Sequence, residues 1–189
     1  MKKILFHTLV ELSKALNKEG ILWAVGASVV LNHYGLIDKP NDIDILVHIK
    51  DIEKVDMILK RLGRKKLRKK TDTYATKYFY EYVMEDVDID VMAGFIIKHN
   101  NGEYQYCFDD KSITAIKNIQ GECIPLTSLE DWYVIYQLIP GREYKVGIIE
   151  NYLLKNGLNN INLVNRALEG NLPEEVRSRT EKLLYNIDK

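Results

Sequence analysis

Two identical acidic triplets are the strongest candidates in this chain for a chemical role. Asp-Ile-Asp occurs at residues 42–44 and again at residues 88–90. Each triplet lies in an apolar run that predicts a β-strand, and alternate residues of a strand point to one face, about 6.6 Å apart. Carboxylates this close repel each other, so we expect a divalent cation between them. Mg²⁺ is the expected ion, because it prefers hard oxygen ligands and also binds phosphate oxygens.

The acids converge only if the two acidic strands are neighbours in one sheet. Two Mg²⁺ ions about 3.5 to 4 Å apart can activate an attacking hydroxyl and stabilise a leaving pyrophosphate. One acid could also accept the proton of that hydroxyl. Asp88 and Asp90 point to the same face of their strand, so the spacing alone leaves open which of them joins Asp42 and Asp44.

The elements around the first triplet predict alternating helices and strands. Apolar residues recur at helical spacing over residues 5–16, and residues 21–25 form a short apolar run that is typical of a buried strand. The Gly-Ala-Ser sequence at residues 26–28 then turns the chain into a short helix. A strand over residues 42–48 and a helix over residues 51–62 follow, which indicates a layered fold of helices on a sheet.

The rest of the chain predicts more strands and then a helical end. Residues 74–84 and 87–93 predict strands, and Asn-Gly at residues 101–102 lies between two apolar runs, as in a β-hairpin. From residue 127 to the C-terminus the pattern is helical, with three or four helices. We therefore predict an α+β fold: a mixed sheet flanked by helices in residues 1–126, and a small C-terminal helical subdomain in residues 127–189.

The composition is that of an ordinary folded protein. Of 189 residues, 46% are hydrophobic and 29% are charged, and the formal net charge is zero. These values argue against disorder and against a general polyanion-binding role. No apolar run approaches the roughly 20 residues of a membrane span, and the two cysteines, Cys107 and Cys123, lack metal-ligand spacing. We therefore expect a cytoplasmic protein with no membrane partner, and the oligomeric state stays open.

The turn and the acidic triplets together resemble the signature of the DNA polymerase β-type nucleotidyltransferase superfamily, especially its small bacterial members. The family pattern is a strand, a Gly-Gly or Gly-Ser turn that opens a short helix, an Asp-x-Asp strand, and a third carboxylate on a neighbouring strand. Here Asp42 follows Gly26 by sixteen residues, and a second acidic strand lies further on. The resemblance covers roughly residues 20–155. Ala27 departs from it, because the family most often has Gly or Ser at that position.

The resemblance implies which acids bind metal. Asp42 and Asp44 would hold two Mg²⁺ ions together with a third acid. Asp90 is preferred to Asp88 for this role, because the family's third acid often lies between branched apolar residues and is followed by more apolar strand. Asp88 has the same apolar neighbours, so it remains the alternative.

The resemblance also implies how nucleotide phosphates are held. In the family the turn cradles phosphates with backbone N–H groups, which assigns nucleotide binding to Gly26, Ala27 and Ser28. A basic pair near the start of a later helix faces the triphosphate in many small members, and Arg142 and Lys145 match that pair. These two residues are three apart on one predicted helical face. A basic cluster on a solvated helix is the structural alternative for them.

The resemblance implies a metal-dependent nucleotidyltransferase that moves a nucleoside monophosphate from an NTP, such as ATP, to a hydroxyl of an acceptor. Acceptors in that family include small molecules such as antibiotics, tRNA ends and protein side chains. The alternatives are the toxin of a toxin–antitoxin pair and a non-catalytic nucleotide-binding or interaction module that kept the fold. Eight basic residues within residues 60–70 slightly favour an RNA acceptor, although a charge-protected helix end and edge strand also explains them.

Overall fold

A computed structural model of the protein describes residues 2–67 and 71–187. Within these ranges the chain forms seven α-helices and nine β-strands. The strands build one seven-stranded mixed sheet and one separate two-stranded hairpin, and helices pack against the large sheet. This arrangement confirms the predicted α+β fold with a mixed sheet flanked by helices.

Helices and strands are labelled here in chain order. The helices are α1 (Lys2–Lys18), α2 (Ala27–His33), α3 (Ile52–Leu62), α4 (Leu129–Gln137), α5 (Glu143–Asn156), α6 (Ile161–Leu168) and α7 (Glu174–Ile187). The strands are β1 (Trp23–Val25), β2 (Ile43–Val47), β3 (Arg64–Lys65), β4 (Tyr78–Met84), β5 (Val87–Ala93), β6 (Ile96–His99), β7 (Gly102–Gln105), β8 (Ile113–Ile119) and β9 (Glu122–Thr127). Helix, strand, helix and strand therefore alternate around the first acidic triplet.

The strand that carries the first triplet lies in the centre of the large sheet. The strand order is β3-β4-β5-β2-β1-β9-β8. β2 runs parallel to β5 and antiparallel to β1, and β9 runs parallel to β1. Every residue of β2 except Asp44 is buried, because the strand has neighbours on both sides and helices over the sheet. Asp44 is thus the polar exception in an apolar strand.

Some boundaries differ from the predicted ones. β2 begins at Ile43, so Asp42 directly precedes the strand rather than opening it. β4 begins at Tyr78, and Tyr74 instead forms an isolated bridge with Ile97. β8 and β9 were not predicted. None of the residues of β8 is buried, and it lies at an edge of the sheet. An edge strand with two partly solvated faces needs no strict apolar alternation, so its sequence signal is weak.

Helix α4 joins the C-terminal helices to the sheet. The Ser128 side chain caps its first turn by accepting a hydrogen bond from the Asp131 N–H at 2.9 Å. The Trp132 indole N–H donates to the Thr127 hydroxyl at 2.8 Å, and that hydroxyl donates to the Val25 carbonyl of β1 at 3.2 Å. These hydrogen bonds therefore hold the first turns of α4 against the central strand β1. The division of the chain at residue 126 stays a prediction.

Two further findings concern membrane-spanning helices and the cysteines. Among the residues that the structure describes, no helix is long and apolar enough to cross a membrane. Cys107 and Cys123 are both free thiols at exposed positions.

Candidate active site

The pairing of β2 with β5 brings the two acidic triplets together. The strands are parallel neighbours, and their register places Asp44 opposite Asp90. Neighbouring strands lie about 4.8 Å apart, so two side chains at the same register and on the same face are within a single ligand's reach. Asp42 lies two residues before Asp44 on that face.

These three acids, Asp42, Asp44 and Asp90, line one cavity of about 140 Å³. Aromatic side chains form much of its remaining wall, and two basic side chains reach it from the N-cap and first turn of α5. These residues are Tyr74, Phe79, Phe95, Trp132, Tyr136, Arg142 and Lys145. Acidic side chains from the sheet and basic side chains from the start of a helix thus line opposite parts of a small, partly apolar cavity. Such a space can hold an anionic ligand together with a cation.

Asp88 has different surroundings from Asp90. Its side chain is 57% exposed and forms an ion pair with Lys66. It is not among the residues that line the cavity. The spacing in the sequence could not distinguish Asp88 from Asp90, but the structure does, because Asp90 and not Asp88 lines the cavity with the first triplet. The metal-binding roles of these acids stay a prediction.

The surroundings of Asp44 disfavour its charged form. Burial raises the pKa of Asp44 well above its ordinary value, and the negative charges of Asp42 and Asp90 raise it further. The positive charges of Lys145 and Arg142 act in the opposite direction. A cation bound to these oxygens would favour their ionised form for the same electrostatic reason.

Glu81 is a fourth acid of this region that the sequence analysis missed. It lies in β4 directly opposite Asp90, so Asp44, Asp90 and Glu81 form a row across three adjacent strands. Burial, followed by the charge of Glu81, raises the pKa of Asp90 to about 7.

The predicted strands end at residue 84 and begin again at residue 87, so the sequence already indicated a two-residue connection between them. β4 and β5 are joined by a two-residue turn, and its residues Glu85 and Asp86 both have positive φ, at 51° and 61°. Two-residue hairpin turns with positive φ at both positions fix the register of their strands. Counting back from this turn pairs Glu81 with Asp90.

The three acids fit Mg²⁺ by chemistry but do not form a ready-made cage. Carboxylate oxygens are the ligands that Mg²⁺ prefers, and the repulsion described above is what a divalent cation offsets. As the side chains stand, no group of three acid, histidine or cysteine side chains within residues 2–67 and 71–187 is arranged to hold a metal ion. Mg²⁺ in proteins usually keeps several water ligands and also binds oxygens of substrate phosphates. It therefore does not require a complete set of protein ligands.

The turn at residues 26–28 lies against the first triplet. The Gly26 N–H donates to the Asp44 carbonyl at 2.9 Å, and the Ser28 hydroxyl is 3.3 Å from a carboxylate oxygen of Asp42. A Cβ atom at Gly26 would lie 2.2 Å from a ring carbon of Trp132. The glycine is therefore required for packing, and its N–H is already bonded within the protein rather than directed at a ligand.

Ala27 departs from the family pattern, and it adopts a conformation that glycine favours. Its φ is +47°, in the left-handed region where a Cβ atom is strained. The side chain is buried and lines the cavity of the acids. The turn thus keeps its shape with alanine at the cost of backbone strain.

The predicted basic pair reaches the same cavity. Arg142 is the exposed N-cap residue of α5, and Lys145 is half-buried one turn later. The Lys145 ammonium donates to the Tyr136 hydroxyl at 3.3 Å and lies 4.8 Å from the centre of that ring. Burial, followed by the charge of Arg142, lowers the pKa of Lys145. Lys145 is thus held over the cavity, unlike a lysine on a solvated helix.

The basic run at residues 60–70 is partly neutralised. Lys60 and Lys65 both form ion pairs with Asp56, and Lys66 pairs with Asp88. β3 lies within this run and forms an edge of the large sheet. These pairs favour the explanation of a charged helix end and edge strand. Residues 68–70 lie outside the described residues.

Comparisons with known proteins identify the fold. No protein-family model matches the chain, and no curated protein sequence matches it significantly. Among solved structures, a candidate nucleotidyltransferase from Thermotoga maritima is 22% identical, with 80% of this chain and 93% of that chain covered and a TM-score of 0.59. The antibiotic-resistance factor ANT(2'')-Ia is 16% identical, with coverage of 100% and 97% and a TM-score of 0.57.

A third similar structure is the lincosamide antibiotic adenylyltransferase LnuA with lincomycin bound. It is 15% identical, with 79% of this chain and 96% of that chain covered and a TM-score of 0.52. The chain therefore has the nucleotidyltransferase fold, which confirms the fold that the resemblance implied. Identities this low show the fold alone.

Proposed function

We propose that this protein is a metal-dependent nucleotidyltransferase that transfers a nucleoside monophosphate from an NTP to an acceptor hydroxyl. The observation that carries the proposal is the parallel register of β2 and β5, which sets Asp44 opposite Asp90 in a cavity that Asp42 also lines. ATP is the proposed donor: LnuA is an adenylyltransferase, and ANT(2'')-Ia has been solved with adenylyl-2''-tobramycin.

The residues of the cavity divide the work of holding the nucleotide. Asp42, Asp44 and Asp90 would hold Mg²⁺, which when bound supplies positive charge to the triphosphate and to the attacking oxygen. Arg142 and Lys145 face these acids and offset further phosphate charge. The turn at residues 26–28 positions Asp42 and Asp44 through its two hydrogen bonds.

The proposed reaction is an in-line displacement at the α-phosphorus. The acceptor oxygen forms a bond to that phosphorus, and the bond from the phosphorus to the bridging oxygen breaks. Pyrophosphate leaves with the electron pair of the broken bond, and the hydroxyl proton passes to a carboxylate of the site. The rings of Phe79, Phe95 and Trp132 line the cavity and exclude water that would compete with the acceptor.

A second cavity adjoins the first and is the proposed place of the acceptor. It measures about 630 Å³, and Tyr136 and Ile139 line both cavities. Small-molecule sites typically enclose about 300 to 1,000 Å³. The size of this cavity and its shared wall with the acids support a small-molecule acceptor over a tRNA end or a protein side chain.

The test is transfer of label from α-³²P-labelled ATP in the presence of Mg²⁺ and a cell lysate. We expect wild-type protein to label the small-molecule fraction, and EDTA or Asp44→Asn to reduce this labelling by at least about a hundredfold. Label in RNA would instead favour an RNA-modifying toxin. Nucleotide binding with no transfer to any fraction would favour the non-catalytic module. Transfer that is unaffected by Asp44→Asn would contradict the proposed roles of the acids.

A further inference from the structure

We propose that the larger cavity selects acceptors that carry protonated amino groups, and that Glu143 and Glu175 recognise these groups. That the ligand acts as an acceptor rests on the proposed function, whereas its chemical class is inferred from the residues that line the cavity.

The cavity is built from four separate parts of the chain. The turn between β6 and β7, the end of α4, and the first turns of α5 and α7 surround it. Its apolar lining consists of Leu138, Ile139, Pro140, Val146, Pro173 and Val176. An apolar floor with polar groups at chosen points is the usual composition of a small-molecule site.

The hairpin side of the cavity is held in place by His99. A ring nitrogen of His99 accepts the Asn101 N–H at 3.2 Å, so the other nitrogen donates to the Asn171 carbonyl at 3.1 Å. This connects the β6–β7 turn to the segment before α7. The cavity is therefore preformed, with the amides of Asn100 and Asn101 along its wall. Amides both donate and accept hydrogen bonds, which suits a ligand with several hydroxyls.

Four charged side chains line the cavity: Lys98, Glu143, Glu175 and Arg179. Arg179 donates two hydrogen bonds to the carboxylate of Glu150, at 2.7 and 3.0 Å, so its charge is already offset.

The two glutamates differ from Arg179. Neither Glu143 nor Glu175 forms an ion pair among the described residues, and both are exposed. With Arg179 offset by Glu150, the charged side chains that line the cavity are two carboxylates and one ammonium, which leaves one negative charge in excess. This excess of negative charge attracts a protonated amine and repels a triphosphate, so the cavity suits a cationic acceptor better than the nucleotide.

The position of the cavity matches this role. Tyr136 and Ile139 separate it from the three aspartates, and the Tyr136 hydroxyl is bonded to Lys145 of the acid site. A ligand held by its amines at Glu143 and Glu175 can thus extend a hydroxyl past Tyr136 toward the reacting phosphate.

The first experiment measures binding without nucleotide or metal. Tobramycin serves as the amine-bearing probe and maltotriose as a neutral sugar of comparable size, both titrated calorimetrically into the full chain. We expect tobramycin to bind at least about tenfold more tightly than maltotriose, and more weakly as salt is raised. Equal affinity for the two probes would overturn the proposal.

The second experiment compares a double variant in the first turns of α5 and α7 with a matched control in the first turn of α7. The double variant Glu143→Gln with Glu175→Gln removes both charges with little change of shape, and we expect about a tenfold loss of tobramycin affinity. Glu174→Gln is the control, because Glu174 does not line the cavity and its carboxylate accepts a hydrogen bond from Ser178 at 3.1 Å. Equal losses in the control and the double variant would overturn the assignment. Thermal melts confirm that each variant is folded.

Separate nucleotide titrations distinguish this proposal from the function proposed above. Wild-type protein that binds tobramycin but neither binds Mg²⁺-ATP nor transfers label contradicts only the proposed function. Protein that transfers label but binds tobramycin equally in all variants contradicts only the role of the glutamates. Displacement of tobramycin by ATP in the absence of Mg²⁺ would assign the larger cavity to the nucleotide and overturn the proposal.

Discussion

The two Asp-Ile-Asp triplets have the same sequence but different surroundings. Both acids of the first triplet line the cavity, whereas in the second only Asp90 does and Asp88 is paired with Lys66 at the surface. The central isoleucines, Ile43 and Ile89, are both fully buried and lie opposite each other. The local pattern thus fixes which face the acids occupy. What lies over that face decides whether an acid joins a site or an ion pair.

The largest expected effect tests this difference directly. Asp90→Asn should reduce nucleotidyl transfer by at least about a hundredfold, because it removes a proposed Mg²⁺ ligand beside Asp44. Asp88→Asn should change transfer by less than about fivefold, since it removes an exposed ion pair. Initial rates with labelled ATP measure both. The opposite order of effects would make Asp88 the third ligand and reverse the comparison.

Acids that are paired with lysines are expected to stabilise the fold rather than take part in the reaction. Asp88 pairs with one lysine, whereas Asp56 pairs with two and is the stronger example. Burial alone would raise its pKa, but hydrogen bonds from Lys60, Lys65 and Tyr82 lower it to about 2. The folded-state pKa is below the unfolded value of about 3.9, so the stabilisation is complete above about pH 5 and is lost as pH falls toward 2.

We therefore expect wild-type protein to lose about 1 to 2 kcal/mol more unfolding free energy than Asp56→Asn between pH 6 and pH 2. Urea denaturation at each pH measures this difference. Asp38→Asn, at an exposed loop position, is the control and should follow the wild type. Parallel pH profiles for the wild type and Asp56→Asn would show that the lysine pairs add no stability.

The smallest expected effect concerns the turn that lies over the first triplet. Ala27→Gly relieves a left-handed backbone, a gain of about 1 to 2 kcal/mol that is partly offset by the greater freedom of glycine in the unfolded chain. The unfolding free energy should rise by about 0.5 to 1 kcal/mol. Ala24→Gly, in buried β1, is the control and should lower it. A loss of stability in Ala27→Gly would mean that the buried methyl group outweighs the strain.

Particular residues show how far the sequence could predict the fold. The apolar and acidic residues that alternate from Val87, followed by the apolar end of the run, predicted β5 with its observed limits; the first four positions alternate between buried and more exposed, and the last three are all buried. The edge strand β8 was missed, since none of its residues is buried. The register of β4 on β5 could have been counted from the Glu85–Asp86 turn, which would have revealed Glu81 beside Asp90.

The same holds for the candidate site. Asp42, Asp44 and the turn at residues 26–28 are close in sequence, so their spacing was enough to predict a cluster. Arg142 and Lys145 lie about a hundred residues away, and only the resemblance to a family suggested them. The larger cavity was not predicted at all, because its lining comes from a hairpin and three helices with no shared sequence pattern.

The period of a β-strand was enough to predict which acids share a face, because it places Asp42 with Asp44 and Asp88 with Asp90. The folded chain was needed to show that β2 and β5 are parallel neighbours in register, which sets Asp44 opposite Asp90. It also shows that Asp88 forms an ion pair with Lys66 and that Trp132 leaves no space for a side chain at Gly26. The physical reason is that strand period is a property of the local backbone, whereas strand neighbours and side-chain partners depend on how distant segments bury their apolar faces together.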